Sequence, residues 1–137
     1  MKSLSILVAD DEDSIRSLLE HFLKNLGHQV IVVGNAREAC EAMAKQPLDL
    51  VITDVLMPDG DGLDLISQLR KVQPNARIIA MSGGGRYLEG SDYLKLAKGL
   101  GAHAAMMKPF TWKELQDAIQ VALASLADPQ AQNGTAI

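Results

Sequence analysis

Four polar or charged signals in this chain each follow a short apolar run. Asp10 and Asp11 come after one run, Asp54 after another, Ser82 after a third and Lys108 after a fourth. Carboxylate oxygens are hard ligands of the kind that Mg²⁺ takes, and an ammonium is a compact cation suited to a phosphoryl oxygen. If the runs are neighbouring parallel strands, the whole set meets at one edge of a sheet. Such a set suits Mg²⁺ together with a phosphoryl group.

The carboxylates and one backbone carbonyl are the expected metal ligands. We assign Asp11 and Asp54 as direct ligands, and we expect Asp10 to act through a water molecule. The backbone carbonyl of Leu56, two residues after Asp54, can complete the site. These ligands favour Mg²⁺, which is bound by few carboxylates and keeps several waters.

The same residues predict phosphoryl chemistry. The carboxylate of Asp54 can act as a nucleophile and form an aspartyl phosphate. Mg²⁺ offsets the repulsion between this carboxylate and an incoming phosphoryl group. Lys108 can bind one phosphoryl oxygen as a cation, and Ser82 can donate a hydrogen bond to another. We therefore expect Asp54 to accept the phosphoryl group, assisted by Lys108 and Ser82.

Strand-like and helix-like patterns alternate along the chain and must position these residues. Short, nearly continuous apolar runs are typical of strands covered on both faces. They predict strands at Leu4–Ala9, Gln29–Val33, Leu48–Thr53, Arg77–Met81 and Ala102–Met107. Apolar residues at helical spacing predict helices. These run from Asp13 to a C-cap at Gly27, over Ala36–Lys45 behind an Asn35 N-cap, and over Leu63–Val72, Ser91–Leu100 and Thr111–Leu126.

This βα order, repeated five times, predicts an α/β domain. Short buried strands that alternate with amphipathic helices favour a parallel sheet with helices on both faces. Ligands of such sheets bind outside the carboxyl ends of the strands, near the point where the strand order reverses. All four polar signals lie at predicted carboxyl ends, so the chemical prediction and the fold prediction agree.

The motifs resemble those of the receiver domain of bacterial two-component response regulators. The matching residues are Asp10-Asp11, Asp54, Met57-Pro58-Asp59-Gly60-Asp61-Gly62, Ser82 and Lys108-Pro109-Phe110. The resemblance covers residues 4–126. Each motif alone is weak, but their order and spacing together are specific to this family.

The resemblance implies a flavodoxin-like (βα)5 doubly wound fold whose five-stranded parallel sheet has the order 2-1-3-4-5. It implies Mg²⁺-dependent transfer of a phosphoryl group to Asp54 from a histidine kinase or a histidine phosphotransfer protein. The phosphorylated domain then switches a surface that binds a downstream protein or effector domain, so the protein is a signalling switch and not an enzyme. The usual partner and homodimer surface is formed by the fourth helix, fifth strand and fifth helix. Ala105 stands where the family often has an aromatic residue.

Length and composition limit the other classes of function. The chain has 137 residues and a net charge of −4, which favours one domain and no direct binding of nucleic acid, since that requires a basic patch. The single cysteine, Cys40, cannot form an internal disulfide and fits a reducing compartment. No apolar run has the length of a signal peptide or a membrane span. We expect a cytoplasmic protein with no membrane partner, a receiver domain at residues 1–126 and a flexible C-terminal tail at 127–137.

Two functions from other classes remain as alternatives. A Mg²⁺-dependent aspartate-nucleophile phosphatase of the haloacid dehalogenase type also forms an aspartyl phosphate. It carries its nucleophile after the first strand in an Asp-x-Asp pattern, whereas Asp10 and Asp11 are adjacent here. A flavodoxin-like electron carrier needs a phosphate-binding loop at the same place, where these two carboxylates would repel a flavin phosphate.

Overall fold

A computed structural model of the chain describes residues 3–57, 60–83 and 90–127. The predicted C-terminal tail lies outside the described residues except for Ala127, which ends the last helix. Pro58 and Asp59, which carry part of the family motif, also lie outside them. Among the described residues, no helix is long and apolar enough to cross a lipid bilayer.

Five parallel strands and five helices make up the described part of the fold. The strands are β1 (Ser5–Ala9), β2 (Gln29–Val33), β3 (Leu50–Asp54), β4 (Arg77–Ser82) and β5 (Ala104–Met107). The helices are α1 (Asp13–Asn25), α2 (Ala36–Lys45), α3 (Gly62–Val72), α4 (Gly90–Leu100) and α5 (Trp112–Ala127). The strand order is β2-β1-β3-β4-β5, and every neighbouring pair is parallel. A short antiparallel pair, Leu56–Met57 with Gly60–Asp61, joins β3 to α3.

Two apolar layers, one on each face of the sheet, form the core. Successive strand residues point to opposite faces, so Leu7 packs in the layer beneath α2, α3 and α4 while Ile6 packs in the layer beneath α1 and α5. Both side chains are buried, and burial of a side chain of this size stabilises a fold by about 1.5–3 kcal/mol. The layers hold the strands in register, and the register fixes where each strand ends.

A stacked aromatic pair joins the two helices on one face of the sheet. The rings of Phe22 in α1 and Trp112 in α5 lie with centroids 4.0 Å apart and planes inclined by 33°. Both side chains are partly buried against the layer beneath these helices. Trp112 is the single tryptophan of the chain.

Local signals in the sequence set several element boundaries. The side chain of Asn35 accepts a hydrogen bond from Glu38 N at 2.8 Å, which confirms the predicted N-cap of α2. Gly27 lies just past α1 with φ +94° and donates its N–H to the carbonyl of Lys24. A residue in this conformation is the usual end of a helix, and glycine adopts it without strain.

The predicted starts of β3 and β5 were wrong by two residues. β3 begins at Leu50 because the N–H of Leu48 is bound by the side chain of Gln73 at 2.7 Å, outside the strand ladder. β5 begins at Ala104 because the N–H of Ala102 is used at the end of α4, where it donates to the carbonyl of Ala97 at 3.0 Å. In both cases an apolar residue next to the strand is bound by a tertiary or helix-end contact.

At the amino ends of several strands, side-chain atoms accept hydrogen bonds from backbone N–H groups. His28 Nδ1 accepts from Leu4 N and His103 Nδ1 accepts from Ile78 N, each at 3.1 Å. Asp49 Oδ2 accepts from Ser5 N at 2.8 Å. Gln73, beyond its contact with Leu48, donates from Nε2 to the carbonyls of Met43 and Gln46 at 2.7 and 2.8 Å. We call His28, Asp49, Gln73 and His103 the amino-end caps.

Candidate functional site

The carboxyl ends of β1, β3, β4 and β5 bring four of the predicted residues to one edge of the sheet. Asp10 directly follows β1, Asp54 and Ser82 end β3 and β4, and Lys108 directly follows β5. Asp10 and Ser82 are fully buried, and Asp54 is 5% exposed. Polar side chains are seldom buried unless they are paired or have a function. This edge is therefore the candidate functional site.

Lys108 is the centre of the site because its ammonium contacts three carboxylates. Its Nζ lies 2.7 Å from Asp54 Oδ2, 2.7 Å from Asp10 Oδ2 and 2.8 Å from Glu12 Oε1. The contacts with Asp54 and Glu12 have hydrogen-bond geometry. The contact with Asp10 has the distance of an ion pair, but no described residue gives Asp10 Oδ2 a well-directed hydrogen bond.

The backbone around Asp10 is fixed by its neighbours. Asp10 N donates to the carbonyl of Val33 at 3.1 Å, and Asp10 Oδ1 accepts from Glu12 N at 2.9 Å. Arg16, on the first turn of α1, donates from Nη1 to the carbonyl of Asp10 at 2.7 Å and also pairs with Asp13. The Asp10 carboxylate is therefore held in one direction before any ligand is bound.

Asp54 is held just as firmly at the end of β3. Its Oδ1 accepts from Leu56 N at 2.9 Å, which leaves Oδ2 directed at Lys108. The next residue, Val55, extends the pairing of β3 with β4 by donating its N–H to the carbonyl of Met81 at 3.0 Å. The backbone of Leu56 therefore lies beside the Asp54 carboxylate.

Ser82 and Lys108 are linked through their backbones. Lys108 N donates to the carbonyl of Ser82 at 2.8 Å, which continues the pairing of β4 with β5. The peptide bond between Lys108 and Pro109 is cis. Residues Gly84 to Glu89, which follow this end of β4, lie outside the described residues.

The charges of the site shift the pKa values of two groups. Burial raises the pKa of Asp10 above its ordinary value, although the neighbouring Lys108 opposes this shift. Burial alone would lower the pKa of Lys108, but its contacts with Asp10, Asp54 and Glu12 outweigh burial and raise it. Lys108 is therefore fully protonated at neutral pH and acts as a fixed cation.

The site differs in membership from the predicted metal-ligand set. Carboxylate oxygens of Asp10, Glu12 and Asp54 all lie within 4.8 Å of one another, whereas Asp11 is exposed and does not belong to this cluster. Sequence reasoning missed Glu12 and Arg16. The available signal for Glu12 was that it is the third acidic residue in an unbroken run with Asp10 and Asp11.

A second surface feature lies on the face formed by α4, β5 and α5. A cleft of about 450 Å³ is lined by residues of α4, β5 and α5, among them Lys98, Ala105, Met107 and Asp117. Two large apolar side chains that line the cleft, Met107 and Val121, are 46% and 54% exposed. Exposed apolar side chains grouped around a cleft are a common mark of an interaction surface.

Comparison with known families and curated proteins identifies relatives over most of the chain. The family model of the response regulator receiver domain matches residues 6–120. The DNA-binding transcriptional regulator NtrC of Azospirillum brasilense is 42% identical over 131 residues, which is 96% of this chain and 26% of that protein. Sporulation initiation phosphotransferase F of Bacillus subtilis is 31% identical, covering 88% of this chain and 94% of that protein. The chain thus spans about a quarter of the NtrC relative and nearly all of the phosphotransferase.

Solved structures show the same architecture. NtrX from Brucella abortus superposes with a TM-score of 0.83 at 27% identity, covering 96% of this chain and 29% of that chain. The beryllofluoride-activated NtrC4 receiver domain dimer superposes with a TM-score of 0.77 at 29% identity, covering 88% and 97%. These matches confirm the predicted flavodoxin-like doubly wound fold, and neither they nor the family match supports the phosphatase alternative. The strand-end site, the strand order and the family match agree: the chain belongs to the response regulator receiver domain family.

Proposed function

We propose that this receiver accepts a phosphoryl group on Asp54 from the phosphohistidine of a histidine kinase or a histidine phosphotransfer protein. A carboxylate oxygen of Asp54 forms a bond to phosphorus as the bond between phosphorus and the histidine nitrogen breaks. The electron pair of the broken bond stays on that nitrogen. The observation that carries this proposal is the 2.7 Å contact between Asp54 Oδ2 and Lys108 Nζ beside the carboxylates of Asp10 and Glu12.

Each residue of the site has a role in this proposal. Asp54 is the acceptor, and its carboxylate is oriented by the N–H of Leu56. Lys108 binds a phosphoryl oxygen as a cation. Ser82, at the end of the neighbouring strand, donates a hydrogen bond to another phosphoryl oxygen. The transferring group carries negative charge on its oxygens, so positioned cations and donors are the main contribution that a protein can make.

The donor set fits Mg²⁺. Asp10 Oδ2 is buried without a well-directed hydrogen bond from the described residues, which is the state expected of an oxygen that a hydrated cation completes. Asp11, Asp54 and the backbone carbonyl of Leu56 would hold the ion, and Asp10 would reach it through water, which would give Asp10 Oδ2 the hydrogen bond it lacks. When bound, Mg²⁺ neutralises charge between the carboxylates and the phosphoryl oxygens.

The output of the proposed switch is protein binding through the α4-β5-α5 face. The cleft along β5 and its exposed apolar side chains offer a surface for a downstream protein, an effector domain or a second copy of the chain. Ala105 is one of the residues that line the cleft, so this receiver transmits its signal without an aromatic side chain at that position. The domain comprises residues 1–126 and acts in the cytoplasm as a signalling switch rather than as an enzyme.

Phosphorylation by a small-molecule donor tests the acceptor. Purified chain is incubated with acetyl phosphate or phosphoramidate and Mg²⁺, and the mass increase of one phosphoryl group is measured. Wild type and Asp13→Asn should be labelled equally, because the Asp13 side chain is 90% exposed and pairs with Arg16 rather than Lys108. Asp54→Asn should not be labelled. Equal labelling of Asp54→Asn would remove Asp54 as the acceptor.

A further inference from the structure

Glu12 begins α1 without capping it. It occupies the N-cap position, but its side chain makes no capping hydrogen bond to the helix. Its backbone N–H is bound by Asp10 Oδ1 at 2.9 Å, while its Oε1 accepts from Lys108 Nζ at 2.8 Å. The contact joins residues 96 positions apart in the chain. The side chain of Glu12 is therefore used by the site and not by the helix.

Three carboxylates surround the Lys108 ammonium. Its Nζ donates hydrogen bonds to Glu12 and Asp54, and the ion pair with Asp10 Oδ2 at 2.7 Å covers its remaining side. A phosphoryl oxygen can bind Lys108 only if one of these oxygens withdraws. Phosphoryl binding is therefore an exchange of partners at Lys108.

The three carboxylates differ in how easily they give up Lys108. The side chain of Asp10 is 0% exposed and that of Asp54 is 7% exposed, whereas that of Glu12 is 55% exposed. A buried carboxylate that loses its cation is left with a large desolvation penalty, while an exposed carboxylate returns to water at little cost. Asp54 bonds to the phosphoryl group itself, so of the two carboxylates that stay charged, Asp10 and Glu12, Glu12 withdraws with the smaller loss.

We propose that Glu12 is a positioning residue that holds Lys108 in the unphosphorylated receiver and releases it to the phosphoryl group. The inference rests on the proposed function, since it needs a phosphoryl group on Asp54. The contact between Glu12 and Lys108 competes directly with the contact between Lys108 and a phosphoryl oxygen. Removing the charge of Glu12 therefore favours the phosphoryl-bound form, although Glu12 belongs to the site.

Beryllofluoride, a non-covalent mimic of the phosphoryl group, tests this exchange at equilibrium. The dissociation constant is measured by amide NMR at saturating Mg²⁺ for wild type, Glu12→Gln and Asp13→Asn. Asp13→Asn is the matched control, because it removes the same charge one residue away and does not touch Lys108. Glu12→Gln should bind beryllofluoride about two- to five-fold more tightly than Asp13→Asn does, the range expected for loss of an exposed ion pair.

Two further measurements separate this role from a structural one or a metal-binding one. The ¹⁵N resonance of the Lys108 ammonium should shift in Glu12→Gln before any ligand is added and stay unchanged in Asp13→Asn. The dissociation constant for Mg²⁺ alone should be the same in the two variants. Weaker Mg²⁺ binding in Glu12→Gln, or beryllofluoride binding no tighter than in Asp13→Asn, would overturn the inference. A wild-type chain that binds no beryllofluoride would instead overturn the proposed function.

Discussion

The two ends of the central sheet satisfy their polar groups in opposite ways. At the amino ends, the amino-end caps accept backbone N–H groups one by one, and Gln73 also donates to two carbonyls. At the carboxyl ends, three carboxylates share the single ammonium of Lys108. Three negative charges and one positive charge leave a formal charge of −2 in that cluster. The amino ends bind these backbone N–H groups within the chain, whereas the carboxyl ends keep an excess of negative charge that a bound cation would offset.

The amino ends of the strands contribute to stability, whereas the carboxyl ends of the same strands hold the candidate site. The amino-end caps satisfy part-buried backbone donors, and each such hydrogen bond stabilises the fold by about 0.5–1.5 kcal/mol. The carboxyl end holds Asp10 in a setting where burial raises its pKa, so the folded state keeps this carboxylate charged at a loss of stability. Functional sites commonly contain groups that destabilise the fold in this way, because binding of the ligand offsets their unfavourable charge.

The largest effect is expected from removing the cation of the carboxyl end. Lys108→Met leaves Asp10, which is 0% exposed, without its cation, and breaking a buried pair in this way destabilises a fold by about 3–5 kcal/mol. Urea unfolding at pH 7 without Mg²⁺ measures the loss, and Mg²⁺ should restore part of it. Lys113→Met, which breaks the exposed pair with Asp117, should cost less than about 1 kcal/mol. Similar losses in both variants would contradict the proposed dependence of Asp10 on Lys108.

Lowering the pH should reduce the free energy of unfolding first through His103, at the amino ends of the strands. Burial, together with the charges of Arg77 and Arg70, lowers the pKa of His103 to about 4 in the folded state, from about 6.5 in the unfolded state. The unfolded state therefore binds the proton more strongly, so stability is complete above pH 6.5 and falls as the pH drops towards 4. The expected loss is about 2–3 kcal/mol.

Urea unfolding across this pH range measures the acid effect. His103→Gln keeps an acceptor for the N–H of Ile78 but cannot titrate, so its unfolding free energy should depend less on pH. The control is His21→Gln, since His21 is exposed on α1 and its one hydrogen bond to the described residues is with Asn25. An unchanged pH profile in His103→Gln would assign the acid sensitivity to another group.

A third, smaller effect is expected from Gln73. Gln73→Ala removes three hydrogen bonds that join the loops before β3 and β4. One is accepted from the N–H of Leu48, and two are donated to the carbonyls of Met43 and Gln46. The free energy of unfolding should fall by about 2 kcal/mol, while labelling of Asp54 by a phosphodonor stays at the wild-type rate. The control is Gln68→Ala, since among the described residues the Gln68 side chain makes one hydrogen bond, which it accepts from the thiol of Cys40. A change in labelling rate would show that the two ends of the sheet are coupled.

The smallest effect is that of Mg²⁺ on the wild-type chain. At ten times its dissociation constant, an ion that binds only the folded state stabilises it by about 1.4 kcal/mol. Unfolding in urea with and without MgCl₂ should show this increase in wild type and in Gln73→Ala. Asp10→Asn should abolish it. An increase that persists in Asp10→Asn would place the ion elsewhere.

Local patterns in the sequence were enough to predict elements whose boundaries are set by local contacts. The predictions of β2 at Gln29–Val33 and α2 at Ala36–Lys45 match the structure at every residue. Asn35 caps α2 from its own side chain, so nothing beyond the segment decides where the helix begins. The starts of β3 and β5 depended instead on Gln73 and on the end of α4, and no local pattern contains that information.

Prediction of the candidate site from the sequence was limited in the same way. Asp10, Asp54 and Lys108 meet because parallel strands end at one edge, which the alternation of strands and helices predicts. The place of Glu12 was not predictable in this way, since an acidic residue at a helix start is explained by the helix alone. Only the folded chain shows that Lys108, 96 residues later, determines the direction of the Glu12 side chain.

The stacked pair of Phe22 and Trp112 gives the chain an optical reporter of its own. Trp112 is the single tryptophan, so the indole emission of the protein comes from one known position between α1 and α5. It lies four residues beyond Lys108 in the chain, and Phe22 lies ten residues beyond Glu12. Any change in the pairing of these two site residues that shifts α1 against α5 will alter the fluorescence without a label. Stopped-flow fluorescence can therefore time the exchange of partners at Lys108 in the unmodified protein.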